Sequence, residues 1–255
     1  MKPKALVLQA HGSNRDLDVI EALTCADAEA TGIPLNELRN NKTLLSDFQL
    51  LIIPGGFSYA DALGAGKLLA LDLASYFAEE ITSFVESGKP VLGICNGFQA
   101  LVKSGILPGG HNHTTLTFNA QGHFECRWVT LKPVSQKCIW TNGVDELIEC
   151  PVAHGEGNFQ IDEHFPRANF YSQDEIALTY VRADGSPANG EYPINPNGSL
   201  LDIAGVCNPR GNVLGLMPHP ENHIYPYQHP QRTRRIHPHD GLALFRNGVK
   251  YASQI

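Results

Sequence analysis

Gly93-Ile94-Cys95-Asn96-Gly97 sets one thiol between two glycines, each two positions away. A short apolar run from Pro90 to Ile94 leads in, and apolar residues at helical spacing, through Val102, lead out. A strand that bends directly into a helix is the layout of a nucleophile elbow, usually built around serine and here around cysteine. Small residues must flank such a bend, because a side chain there meets neighbouring backbone. The bend also puts the sulfur at a helix start, where backbone N–H groups and the helix dipole favour negative charge. A buried structural cysteine is the alternative, and it would have no use for the two glycines.

A thiolate attacking a carbonyl needs a base, an orienter for that base, and donors for the oxyanion. His219 and Glu221 lie in Pro218-His219-Pro220-Glu221, just past the apolar run Val213-Leu214-Gly215-Leu216-Met217. In extended backbone, positions i and i+2 point the same way, so Glu221 can hold the His219 ring as the acid of a triad does. The prolines are expected to keep this stretch extended and stiff. A chance His-x-Glu in a surface loop is the competing reading, and the elbow weighs against it. Pro54-Gly55-Gly56-Phe57 closes another apolar run, Leu50-Leu51-Ile52-Ile53. Its glycines let backbone approach a ligand closely, and the N–H groups of Gly56 and Asn96 make the expected oxyanion hole. His154-Gly155-Glu156-Gly157 either lines the site or packs beside it.

These pieces need a scaffold. Ala5 to Leu8, Leu50 to Ile53 and the run before Cys95 read as buried strands. Helical stretches are expected after Asp16 or Asp18, which could cap the first, and from about Leu68 to Ser87. Gly32-Ile33-Pro34 reads as a break. Alternating β and α over the first hundred residues predict a three-layer α/β/α sandwich around a mostly parallel sheet. Strands at Phe124 to Val134 and Ile176 to Val181, with tight turns between later segments, predict antiparallel additions. Gly241 to Tyr251 reads as a closing helix. Nothing divides the chain, so residues 1–255 are expected to form one domain.

Composition excludes several classes. The chain has 255 residues and a formal net charge of −7, without the basic field that nucleic acid requires. No apolar run approaches a membrane span, and no signal-peptide core opens the sequence, so a cytoplasmic location is expected. Six scattered cysteines without a C-x-x-C pair read as free thiols. Gly64-Ala65-Gly66-Lys67 fails as a phosphate loop, with Asp61 and Leu68 where that motif needs glycine and Ser or Thr. Residues 222–239 form a long His-, Pro- and Arg-rich insertion. His219, His223, His229, His237 and His239 fit no zinc spacing, so no metal site is expected and the segment reads as solvated. Its Arg232, Arg234 and Arg235, with no acid between Glu221 and Asp240, suit a docking surface, a lid or a simple exposed insertion.

Together these residues resemble the class I glutamine amidotransferases, whose fold is flavodoxin-like. Gly93-Ile94-Cys95-Asn96-Gly97 and Pro218-His219-Pro220-Glu221 carry the resemblance to the class. Pro54-Gly55-Gly56-Phe57-Ser58-Tyr59, Phe98-Gln99, His154-Gly155-Glu156-Gly157, Asn197-Gly198-Ser199 and Ile203 to Asn208 narrow it to the glutaminase subunits of purine biosynthesis. The resemblance implies that Cys95 is the nucleophile, His219 the base and then acid, and Glu221 its orienter. Gly55, Phe57, Gln99 and Asn119 are implied in seating L-glutamine. Released ammonia would pass to a separate synthetase subunit, which would hold the ATP and magnesium, leaving no cofactor on this chain. A small bridging subunit is implied as a further partner. Ala60 stands where many relatives have glycine, and Asn119-Ala120-Gln121-Gly122-His123-Phe124 departs from the expected pattern. A glutaminase of another pathway, a catalytically silent regulatory subunit, and a cysteine hydrolase or peptidase are the rival readings. An α/β-hydrolase would place its acid before the histidine, whereas Glu221 follows His219.

Overall fold

Three apolar runs are buried along their whole length: Leu50–Ile53 (β3), Val91–Ile94 (β4) and Val213–Leu216 (β11). Strands covered on both faces have this character. They lie side by side and parallel, in the order β3-β4-β11. The computed structural model describes residues 1–109, 113–164, 174–234 and 240–255.

The sheet extends in both directions from this centre. On one side it adds β1 (Lys4–Gln9) and β2 (Glu29–Pro34), both parallel. On the other it adds β10 (Ile203–Cys207), β9 (Ile176–Val181), β6 (Glu125–Pro133) and β7 (Ile148–His154), each antiparallel to its neighbour. The resulting nine-stranded order is β2-β1-β3-β4-β11-β10-β9-β6-β7. Two further strands, β5 (Thr114–Thr117) and β8 (Asn158–Ile161), pair apart from it. The flanking helices are α1 (Asp16–Cys25), α2 (Leu35–Asn40), α3 (Lys67–Tyr76), α4 (Ala78–Glu86), α5 (Asn96–Lys103) and α6 (Leu242–Ala252). α1 packs with α6, and α3 with α5. This is the expected α/β sandwich. No helix among the described residues is long and apolar enough to cross a membrane.

The glycines explain how α5 reaches the sheet. Gly93 of β4 pairs in register with Gly215 of β11. A Cβ on Gly215 would lie 2.1 Å from the Phe98 ring, and one on Gly93 would lie 2.5 Å from Leu101. The two form a trough that receives the α5 side chains. Gly97 closes the fit from the helix side, where a Cβ would stand 2.0 Å from the Ile53 carbonyl oxygen.

Several expectations change. β2 runs through Gly32-Ile33-Pro34, where a break is expected, because an edge strand tolerates proline at its end. The Leu68–Ser87 stretch is two helices that meet at Phe77. Arg15, not an aspartate, occupies the N-cap of α1. The insertion is solvated only in part where it is described: Pro226, Tyr227 and residues 230–234 are exposed, but His223, Ile224 and His229 are buried. Trp128 on β6 draws both histidines in, at ring separations of 5.0 and 4.5 Å. Arg235, His237 and His239 lie outside the described residues.

Gly97→Ala should destabilise the chain by about 1–3 kcal/mol through overpacking against β3, measured by urea unfolding. Ala60 has a left-handed backbone with φ of 54°, between Tyr59 and Asp61 in the same region. Ala60→Gly should therefore stabilise by about 1 kcal/mol, the left-handed penalty of a side chain less the added chain entropy. An unchanged midpoint would refute that account of the loop.

Candidate active site

The sheet brings its functional segments to one edge. Gly55-Gly56 follows β3, Cys95 follows β4, and His219 follows β11, at the carboxyl ends of three adjacent parallel strands. Open α/β sheets form ligand sites at this edge. The end of β7 arrives there as well, since the His219 N–H donates to the Pro151 carbonyl at 2.8 Å.

Cys95 has φ of 49° and ψ of −102°, the strained bend of an elbow. Its N–H donates to the Leu216 carbonyl at 2.8 Å, which locks the bend to β11. The thiol is 5 % exposed and lies 3.7 Å from the Ala153 carbonyl oxygen. His219 Nδ1 donates to Glu221 Oε1 at 2.7 Å, and the Cys95 sulfur is close enough to the same ring to act on its charge. Both side chains of the His–Glu pair are buried. Their proximity does not come from extended backbone, as the sequence suggests. Pro220–Asn222 form a 3-10 turn, and that turn swings Glu221 back to the ring. Gly55 packs against the pair, and a Cβ there would lie 2.7 Å from His219 Cε1.

Burial alone would push the His219 pKa down, but the Glu221 carboxylate and the charge on the Cys95 sulfur overturn this and raise it to about 10. The ring is thus poised as an imidazolium beside the sulfur. Burial pushes the Cys150 thiol far up, with Glu221 and Glu149 adding to it, so that sulfur is inert.

Asn96 directly follows the nucleophile position and opens α5, so its N–H has no intrahelical partner. Gly56, with φ of 130°, lines a cavity of about 150 Å³ together with Cys95, Phe57, Asp61, Gln99, Phe118, Phe124 and the stretch Ala153 to Glu156. The Asn96 side chain ties the two donor segments together. Its Oδ1 accepts the Ser58 N–H at 3.2 Å, while its Nδ2 donates to Asp61 Oδ1 at 2.9 Å and Gln99 Oε1 at 3.1 Å.

The residues implied in seating a substrate divide. Gly55 and Phe57 stand at the cleft, and Phe57, exposed, stacks on Phe124 at 6.4 Å. Gln99 lines the cavity, but both its polar atoms have partners, because Nε2 donates to the Glu156 carbonyl at 2.6 Å. Asn119 is buried and braces the His154–Gly157 turn. Asp61 and His154 also line the cavity. The sequence reading leaves the first without a role and the second at the margin. Burial raises the Asp61 carboxyl pKa against its hydrogen bond from Asn96, and Glu156 adds to the rise. Among the described residues, no group of three or more His, Cys, Asp or Glu side chains could hold a metal ion.

Residues 2–252 match the family model of the CobB/CobQ-like glutamine amidotransferase domain. The chain is 50 % identical to phosphoribosylformylglycinamidine synthase subunit PurQ of Treponema denticola, over 98 % of this chain and 99 % of that one. It is 41 % identical to the subunit of the same name from Dehalococcoides mccartyi, over 100 % and 99 %. A chain in the structure of PurLQS from Thermotoga maritima superposes with a TM-score of 0.75 at 33 % identity, covering 98 % of this chain and 99 % of that one.

The two site histidines set opposite pH limits. Between 6.5 and about 10 the folded chain holds a His219 proton that the unfolded chain lacks, so stability falls as pH rises through this window. Burial first, and His219 second, lower the His154 pKa from 6.5 to about 3. The unfolded chain takes up that proton first, so stability also falls as pH drops through this lower window. Each limb has a slope of at most about 1.4 kcal/mol per pH unit. Glu221→Gln should flatten the alkaline limb and leave the larger, burial-driven part of the acid limb. Urea midpoints across both windows check this, and an unaltered alkaline limb would contradict the pairing.

Proposed function

The chain belongs to the CobB/CobQ-like glutamine amidotransferase family, and from that membership and the geometry of its cleft we propose that it is the glutaminase subunit of a phosphoribosylformylglycinamidine synthase. It hydrolyses L-glutamine to glutamate and ammonia. A synthetase subunit uses that ammonia, with ATP, to convert formylglycinamide ribonucleotide to formylglycinamidine ribonucleotide. The observation that carries the chemistry is the buried Cys95–His219–Glu221 chain, built from two adjacent strand ends.

Each step draws on one group of the cleft. The Cys95 thiolate attacks the γ-carboxamide carbon, forming a C–S bond as the carbonyl electron pair moves to oxygen. The N–H groups of Gly56 and Asn96 receive that oxyanion. The tetrahedral adduct collapses, its C–N bond breaks, and His219 gives its proton to the leaving nitrogen, which departs as ammonia. His219, now neutral, removes a proton from water, and the resulting hydroxide opens the γ-glutamyl thioester. Glutamate leaves, and the Cys95–His219 ion pair is restored. Glu221 keeps the ring oriented and stabilises its charged form throughout.

A single glutaminase domain over 1–255 rests on the family match at 2–252. ATP and magnesium belong to the synthetase, and this chain carries no cofactor in the proposed reaction. A small bridging subunit follows from the resemblance alone. A cytoplasmic location suits six unpaired cysteines. Another amidotransferase pathway is the second reading, and the names of the relatives weigh against it.

Cys95→Ala should abolish glutamine hydrolysis, while the assembled synthetase still uses added ammonia at near the parent rate. Coupled assays with each nitrogen source test this. Glutamine turnover surviving in the alanine variant would end the assignment.

A further inference from the structure

Among the described residues, two carboxylates line the cavity that holds Cys95: Asp61 and Glu156. Glu156 is engaged within the fold. Its Oε1 accepts the Ala65 N–H at 3.1 Å, and its Oε2 pairs with Lys103 Nζ at 3.4 Å. Lys103 is held as well, since it also donates to the Ala65 carbonyl. Gln99 carries no charge, and both its polar atoms already have partners.

Asp61 differs on each count. It is half-buried, and no Lys, Arg or His forms an ion pair with it among the described residues. Asn96 Nδ2 donates to its Oδ1 at 2.9 Å, which holds the carboxylate against the residue next to the nucleophile. The backbone is bent to bring it there. Tyr59, Ala60 and Asp61 are left-handed in succession, with φ of 55°, 54° and 53°. Strain of this kind, in a run without glycine, is found at ligand clamps. Burial and Glu156 both disfavour the charged carboxyl, and Lys103 offsets this only from a distance. A carboxylate stripped of water and given no cation is costly to the free protein, and a cation on the ligand relieves that cost.

The cavity also limits what can enter. Its volume is about 150 Å³, well under the ~300 Å³ at which pockets for drug-sized ligands begin. It suits one amino acid better than a peptide. The two differ in charge at the α-nitrogen: a free amino acid carries an ammonium there, and a glutamine within a peptide carries a neutral amide. Cys95 and the oxyanion donors take the γ-carboxamide end. Asp61 is the unpaired carboxylate left for the other end.

We propose that Asp61 is a specificity-determining residue: its carboxylate receives the α-ammonium of L-glutamine, so the site takes the free amino acid and rejects glutamine whose α-nitrogen is acylated. This inference deepens the glutaminase reading and rests on it.

The test compares L-glutamine with 4-carbamoylbutanoate, which is glutamine without its α-amino group, in the full chain assembled with its synthetase. For the parent, kcat/KM should be about 100-fold lower on the des-amino compound, the scale of a lost hydrogen bond between charged groups. Asp61→Asn, whose amide oxygen still accepts from Asn96, should lose about 100-fold on L-glutamine and stay within about threefold of the parent on the des-amino compound. Asp61→Glu keeps the charge and should recover about tenfold of the loss. Equal turnover of the two compounds by the parent, or equal losses on both in Asp61→Asn, overturn the proposal. If the des-amino compound turns over too slowly to time, labelling of Cys95 decides. In Asp61→Asn, 6-diazo-5-oxo-L-norleucine, which has the α-ammonium, should react about 100-fold more slowly than in the parent, and chloroacetamide, which lacks it, at the parent rate. Equal slowing of both reagents overturns the proposal. Cys95→Ala is the separate control, because glutamine turnover there refutes the glutaminase reading itself. Should the Asp61 variants not fold, 13C-labelled aspartate in the Cys95→Ser chain decides: L-glutamine must lower the pKa of the Asp61 carboxyl, and an unmoved pKa overturns the proposal.

Discussion

A strand that becomes a helix without an intervening loop constrains everything else. β4 ends at Ile94 and α5 begins at Asn96, so Cys95 alone must absorb the change of direction. It does so at positive φ, a conformation that costs about 1–3 kcal/mol and persists only when its surroundings hold it. The surroundings here are the Gly93–Gly215 trough, the Gly97 contact with Ile53, and the hydrogen bond from the Cys95 N–H to Leu216. One close approach of helix to sheet thus fixes the sulfur, aims the Asn96 N–H, and sets the spacing to His219.

Electrostatics completes what packing begins. A buried imidazolium is unfavourable by itself, and His219 is tolerated because its Nδ1 donates to the Glu221 carboxylate, with the Cys95 sulfur adding to the stabilisation. The surrounding amides are already paired within the fold. Asn96, Gln99 and Asn119 spend their side chains on neighbouring loops, so the segments that carry Gly56 and Ala153 hold their positions relative to the sulfur. Preorganisation of this kind lets the donors act without reorganising during the reaction.

Much of this was legible in the sequence, for a physical reason. β3, β4 and β11 are buried on both faces, so each reads as an unbroken apolar run ending in a glycine- or proline-marked turn. Cys95, His219 and Glu221 stand at the ends of those runs and are recognisable there. β2 escapes notice because it is a half-exposed edge strand, with Thr31 and Gly32 in place of a hydrophobic stretch. The His219–Glu221 contact is foreseen but its cause is not, since a 3-10 turn and an extended segment bring the two residues together from the same spacing. His223 and His229 look solvated until Trp128, from a strand nearly a hundred positions earlier, is placed against them. The contact of His154 with Asn119 is invisible in the chain order, because Asn119 reaches it from another segment.

The register of β4 against β11 has one further consequence. Gly93 faces Gly215 and Ile94 faces Leu216, so nucleophile and base leave the sheet from adjoining rungs of a single ladder. Only two buried residues, Met217 and Pro218, separate the end of β11 from His219. Heat cannot part the thiol from the imidazole by loosening a peripheral loop; it must first unzip the most deeply buried pair of strands. Loss of this pair and loss of the hydrophobic centre are therefore one cooperative event.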